Sequence, residues 1–190
     1  MNLYQNQLFH IYNRGNNKQQ IFFKRENYLY FLEKVKEYLK PHAEIMAWCL
    51  MPNHFHFMIY ISVEKDVKEI SKGIQIVLRS YTRGINKQED RTGSLFTQNT
   101  CSKALSEELR TDFYSTTCFH YIHQNPVKAG LVKRMEDWEF SSFRDYIGLR
   151  NGTLINRETT HKYVEIPKDK DQFYKESYLV LDDDDINKLF

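Results

Sequence analysis

The chain has 190 residues, of which 41% are hydrophobic, enough for one core with an appendage. Its net charge of +2 is uneven: residues 1–150 carry 21 Lys and Arg against 16 Asp and Glu, whereas residues 151–190 carry 6 against 9. A mildly basic body with an acidic tail permits a phosphate-bearing partner without requiring one. The 3 cysteines, with no C-x-x-C pair, exclude a disulfide framework and a zinc ribbon.

Residues 7–13 (QLFHIYN) alternate as a strand does, and Arg14-Gly15-Asn16-Asn17 reads as a turn. From Asn27 to Lys40 apolar residues recur at helical spacing, until Pro41 ends the pattern. Residues 44–51 (EIMAWCLM) and 54–61 (HFHFMIYI) form a hairpin about Pro52-Asn53. Val67, Ile70, Ile74, Val77, Leu78, Tyr81 and Ile85 mark a second amphipathic helix. Residues 94–103 give a weaker fourth strand, and a third helix is expected over Asp112–Gln124, with Asn125 at its end because Pro126 disfavours helical geometry there. The order strand, helix, strand, strand, helix, strand, helix implies an α+β fold, a ferredoxin-like (RRM-like) antiparallel sheet with added helices. The division expected is a main domain over 1–150 and a C-terminal extension over 151–190, its Asp182–Asp185 run solvated. No basic-then-apolar leader opens the chain and no apolar run approaches a membrane span, so a cytoplasmic protein is expected.

Alternation puts Phe55, Phe57, Ile59 and Ile61 on one face of the third strand, and His54, His56, Met58 and Tyr60 on the other. Two imidazoles side by side suit a metal ion, and equally suit two structural histidines. Tyr121 and Asn125 stand four apart and share a helix face if the last turn is helical, giving a phenol nucleophile and an amide ligand. Tyr114 lies about two turns earlier on much the same face and competes with Tyr121 as nucleophile. Lys72, Arg79, Arg83 and Lys87 occupy one flank of the second helix, as a DNA-tracking surface or a solvated face. The aromatic content of 15% fits a packed core and also stacking on unpaired bases.

The stretches FHIYNRGNNKQQIFF, MPNHFHFMI, RTGSLFTQNT, HYIHQNPVKAGLV and WEFSSFRDY, in that order over residues 7–147, resemble the single-tyrosine HUH transposases of the insertion-sequence and REP-associated group. The resemblance implies an HUH-endonuclease fold, with the histidine-hydrophobic-histidine motif at His54, Phe55 and His56 and the nucleophile at Tyr121. It implies Asn125 as a third metal ligand, where the insertion-sequence branch has glutamine; Asn-Pro-Val is more similar to the REP-associated branch. It further implies bound Mg2+ or Mn2+, cleavage and rejoining of single-stranded DNA beside a hairpin through a 5′-phosphotyrosine, and a monomer or homodimer. Contact of Arg14 and its turn with DNA rests on the same analogy. Ligand softness by itself suits manganese and does not exclude zinc. The competing readings are a non-catalytic single-strand or RNA-binding module of RRM-like fold, and a metal-binding structural protein.

Overall fold

The four strand patterns pair into one antiparallel sheet of order β2-β3-β1-β4, in a computed structural model that describes residues 1–105, 111–179, 181–187 and 189. β1 spans Gln7–Arg14, β2 Glu44–Met51, β3 His54–Ile61 and β4 Cys101–Ala104. Two helices, α1 (Arg25–Tyr38) and α2 (Val67–Gln88), follow β1 and β3. This is the ferredoxin-like arrangement that the element order implies.

The alternation in β3 divides the interior in two. Phe55, Phe57, Ile59 and Ile61 join Phe9, Ile11, Phe31, Ile74 and Tyr81 in a core beneath α1 and α2. Met58 and Tyr60 join Leu8, Met46 and Cys49 in a second core on the opposite face. That face is covered by α3 (Thr111–Lys128), which brings Cys118, Phe119 and Ile122. Gly73 lets α2 lie close on α1, since a Cβ there would run into the Tyr38 carbonyl oxygen.

Three expectations need correction. The fourth strand is shorter than 94–103 and begins at Cys101. Leu95 and Phe96 are both buried in the first core, so consecutive side chains point inward and residues 94–100 cannot follow a strand pleat. The third helix does not stop before Asn125 but runs through Pro126 to Lys128. The proline forgoes one backbone bond, while buried Ile122 and Phe119 hold the helix on the sheet, and the chain turns off at Gly130 with φ of 68°. The first helix begins at Arg25, two residues early, because the Asn27 amide oxygen accepts the backbone N–H groups of Phe23 and Lys24, both at 3.1 Å.

The C-terminal segment is more than a solvated tail. After a helical turn, α4 (Phe143–Tyr146), it forms α5 (Arg157–Tyr163), α6 (Lys170–Ser177) and α7 (Asp183–Asn187). Asp182–Asp184 are exposed and Asp185 is half-buried, but Val164, Phe173 and Leu189 are buried in the second core. No helix among the described residues is long and apolar enough to cross a membrane.

Candidate active site

His54 opens β3 because the Pro52-Asn53 turn is held from outside: Gly15 N–H donates to the Asn53 carbonyl at 2.8 Å, and Ile21 and Phe22 N–H donate to that of Pro52 at 2.8 and 3.1 Å. The strand register sets Arg14 opposite His54 and Tyr12 opposite His56. The His54 and His56 rings lie 4.9 Å apart at 86°. The Tyr121 ring, presented by α3, is 5.7 Å from that of His56. Asn125, one turn further and 8% exposed, has its side chain beside both His54 and Tyr121. Its amide also donates to the Tyr121 carbonyl at 2.9 Å. The structure thus brings together His54, His56, Tyr121 and Asn125, and the helical turn through Pro126 is what puts Asn125 on the right face. The cavity here, of about 680 Å³, is lined by Tyr121 and not by Tyr114.

Burial holds both imidazoles neutral. His54 lies below the usual histidine range through desolvation, helped by nearby Arg14 and opposed by its Asn125 hydrogen bond. His56 lies well below it, through desolvation and then the neighbouring His10 and His54. Neutral imidazoles are the form that binds metal. The His54 Nδ1–H donates to Asn53 Oδ1 at 2.6 Å, and His56 Nδ1 lies 2.9 Å from His10 Nε2. Coordination by either ring is therefore left to Nε2. Among the described residues no group of three His, Cys, Asp or Glu is placed to hold a metal. Two imidazoles and an amide oxygen make up the donor set, which fits a divalent cation that also takes oxygen ligands from phosphate and water.

Tyr121 is raised above the usual phenol value by burial, the Asn125 hydrogen bond pulling the other way, with buried Cys118 and Cys49 adding to the rise. Lys128 sits 5.9 Å from the centre of its ring. Arg14 and Lys18 are exposed and line the cavity, which makes its mouth cationic. The far wall is residues 97–101, tied to β1 by Asn13: Thr97 Oγ1 donates to its Oδ1 at 2.6 Å, and its Nδ2 donates to Thr100 Oγ1 at 3.0 Å.

Reading the sequence missed His10, Tyr12 and Asn13. His10 is fully buried, and its Nδ1–H donates to the Leu189 carbonyl at 3.4 Å while Nε2 faces His56. Alternation in β1 puts His10 and Tyr12 on the face of Leu8, but only the β1–β3 register shows that this is also the face of His56.

Much of the sheet face that RNA-recognition domains leave open is here covered by α3. The profile of the family described as "Transposase IS200 like" matches residues 4–125. A Haemophilus influenzae protein assigned to the REP-associated tyrosine transposases is 27% identical over 109 residues, covering 53% of this chain. The match spans 58% of that relative's length. The solved structure of a REP-associated tyrosine transposase bound to a REP hairpin superimposes with a TM-score of 0.58 at 19% identity, over 83% of this chain and 98% of that one. At that identity the likeness speaks for the fold.

Proposed function

The chain belongs to the IS200-like transposase family, and from that premise we propose that it cleaves and rejoins single-stranded DNA beside a hairpin, with Tyr121 as nucleophile and a divalent cation held by His54, His56 and Asn125. The observation that carries the reading is the convergence of Tyr121 and Asn125, one turn apart on α3, upon the histidine pair of β3. The hairpin enters by likeness to the solved relative, which is bound to one.

The Tyr121 oxygen attacks the scissile phosphorus, a P–O bond to Tyr121 forms and the P–O3′ bond breaks. The products are a 5′-phosphotyrosine and a 3′-hydroxyl, which takes up the proton lost by the phenol. Attack by a 3′-hydroxyl reverses the step, and the covalent link conserves the phosphodiester energy. The difficulty lies in the phenol. An ordinary value of about 10 leaves on the order of 0.1% ionised at pH 7, a cost of roughly 4 kcal/mol, and burial makes this harder. The Asn125 hydrogen bond offsets part of it. A bound Mg2+ or Mn2+ would polarise the phosphate and stabilise charge on the leaving oxygen.

The remaining residues prepare the site. Arg14 and Lys18 meet the incoming phosphates at the mouth. His10 fixes the His56 ring by its 2.9 Å contact, as an outer hydrogen-bond partner orients a metal-binding imidazole. Tyr121 and both histidines belong to one chain, so this reading needs no second copy, and we place the working form as a monomer. Incubation with end-labelled single-stranded and hairpin oligonucleotides, followed by a denaturing gel, tests it. Cleavage that needs a divalent cation is expected, and undiminished cleavage in excess chelator would refute the metal-dependent reading.

A further inference from the structure

The basic flank of α2 lies outside the site just described, and the structure sorts its four cations. Lys72 pairs with Glu69 at 3.4 Å. Arg79 and Arg83 instead line a second groove of about 820 Å³ between α2 and the 94–100 loop, whereas Lys72 and Lys87 do not reach it. Both arginines are exposed, and among the described residues neither pairs with a carboxylate. Among the described residues no acidic side chain lines the groove.

The groove shares a wall with the candidate active site. Thr97, Gln98 and Asn99 line both cavities. The wall they form is pinned: Asn13 holds Thr97 and Thr100 from β1, and the Asn86 amide of α2 donates to the Gly93 carbonyl at 2.8 Å. A ligand lying along Arg79 and Arg83 is led over this wall to Tyr121.

The two cavities differ in what they offer a nucleic acid. The site cavity has Tyr12 and Tyr121 in its lining. Among the described residues the groove's one aromatic side chain, Phe96, is 4% exposed and packed in the first core. Unpaired bases need exposed rings on which to stack. Two unpaired guanidinium groups, one helical turn and roughly 6 Å apart along the axis, suit successive backbone phosphates instead. Uncharged donors such as Gln75 and Asn86 add positioning contacts without reading sequence.

We propose that the groove between α2 and the 94–100 loop seats the phosphate backbone of a base-paired DNA stem, held by Arg79 and Arg83, while the adjoining unpaired strand passes residues 97–99 to Tyr121. The proposal rests on the functional reading above and adds to it the surface that recognises the paired segment. Two labelled DNAs test it by anisotropy over a salt series: a hairpin with a single-strand extension, and the extension alone. In the Arg79→Gln, Arg83→Gln double variant, affinity for the hairpin DNA should fall about tenfold at moderate salt, and the slope of log affinity against log salt should become shallower by about two. Affinity for the extension alone should stay within about twofold of wild type. The Arg79→Lys, Arg83→Lys variant keeps the charges and should recover the wild-type slope. Unchanged hairpin affinity and slope in the glutamine variant, or an equal loss on both DNAs, would overturn the assignment. Cleavage of the extension by wild-type protein is read in the same samples. A groove that fails while cleavage persists is thereby told apart from failure of the catalytic reading.

Discussion

The two faces of the sheet are built from the same strands and obey different rules. On the α1–α2 face β3 contributes Phe55, Phe57, Ile59 and Ile61, and its neighbours are mostly apolar, Tyr81 donating one hydrogen bond, 2.7 Å to the Ile21 carbonyl. On the α3 face the same strand contributes His54 and His56, and His10, His120 and His123 are also buried there. Burying an imidazole costs free energy unless it is neutral and hydrogen-bonded. This face meets that condition in part, with a chain of contacts from the Leu189 carbonyl through His10 to His56 and a 2.7 Å contact of His123 Nε2 with Ser142 Oγ. One face therefore supplies stability, and the other holds the proposed site at some expense of stability, with β3 as the shared element.

Substitutions that differ by one position in β3 should separate the two roles most sharply. His56→Ala and His54→Ala should reduce DNA cleavage below detection on a denaturing gel, with the far-ultraviolet circular dichroism spectrum unchanged. Wild-type cleavage by both variants would break the assignment of that face to chemistry. Phe57→Ala, one position beyond His56 and on the opposite face, should lower unfolding stability by about 3–5 kcal/mol in denaturant titration. A loss under 1 kcal/mol would show that the α1–α2 face is not the stabilising one.

Acid should expose the expense of the second face. Burial holds His120 down to about 4, with Glu176 opposing, while the unfolded chain binds this proton near 6.5. Between those values the unfolded state carries more protons, so stability is complete above about pH 6.5 and is lost as pH falls toward 4, on the order of 3 kcal/mol from this group. His120→Gln should flatten that limb of the pH–stability curve. An unchanged slope would contradict the buried neutral imidazole.

A smaller effect is expected at His10, which touches the site through another residue. His10→Phe should weaken Mn2+ binding by about 10–100-fold by calorimetry, and His10→Gln, which keeps a hydrogen-bond acceptor, should recover part of it. Ring-nitrogen chemical shifts of His56 in the metal-free protein should move from one dominant tautomer in wild type to a mixture in His10→Phe. Identical shifts would remove His10 from the positioning role.

Much of this was legible in the sequence, for local reasons. β2 and β3 fall on the residues that alternation predicts, because a hairpin's pattern and its turn are both written in one short stretch. The pair His54 and His56 was readable for the same reason. What escaped depends on contacts between distant segments. The burial of both Leu95 and Phe96 shortened the fourth strand. Packing of α3 overrode the helix-ending tendency of Pro126, so local chemistry misplaced the turn that carries Asn125. His10 needed the β1–β3 register, and the burial of Leu189 beyond an acidic run has no local signal at all.

In the proposed reaction Tyr121 is the residue that becomes joined to DNA. Its ring lies 5.7 Å from that of His56, it lines the site cavity, and Asn125 bonds to it, whereas Tyr114 lies outside the cavity lining. Removing the hydroxyl removes the nucleophile and little volume, so Tyr121→Phe should fold, bind DNA and form no adduct, while Tyr114→Phe keeps substantial activity. The most direct measurement is to trap the covalent product on single-stranded DNA, digest it, and locate the nucleotide mass by fragmentation in the mass spectrometer. The expected result is the mass on Tyr121; the mass on Tyr114, or an adduct formed by Tyr121→Phe, would contradict the account.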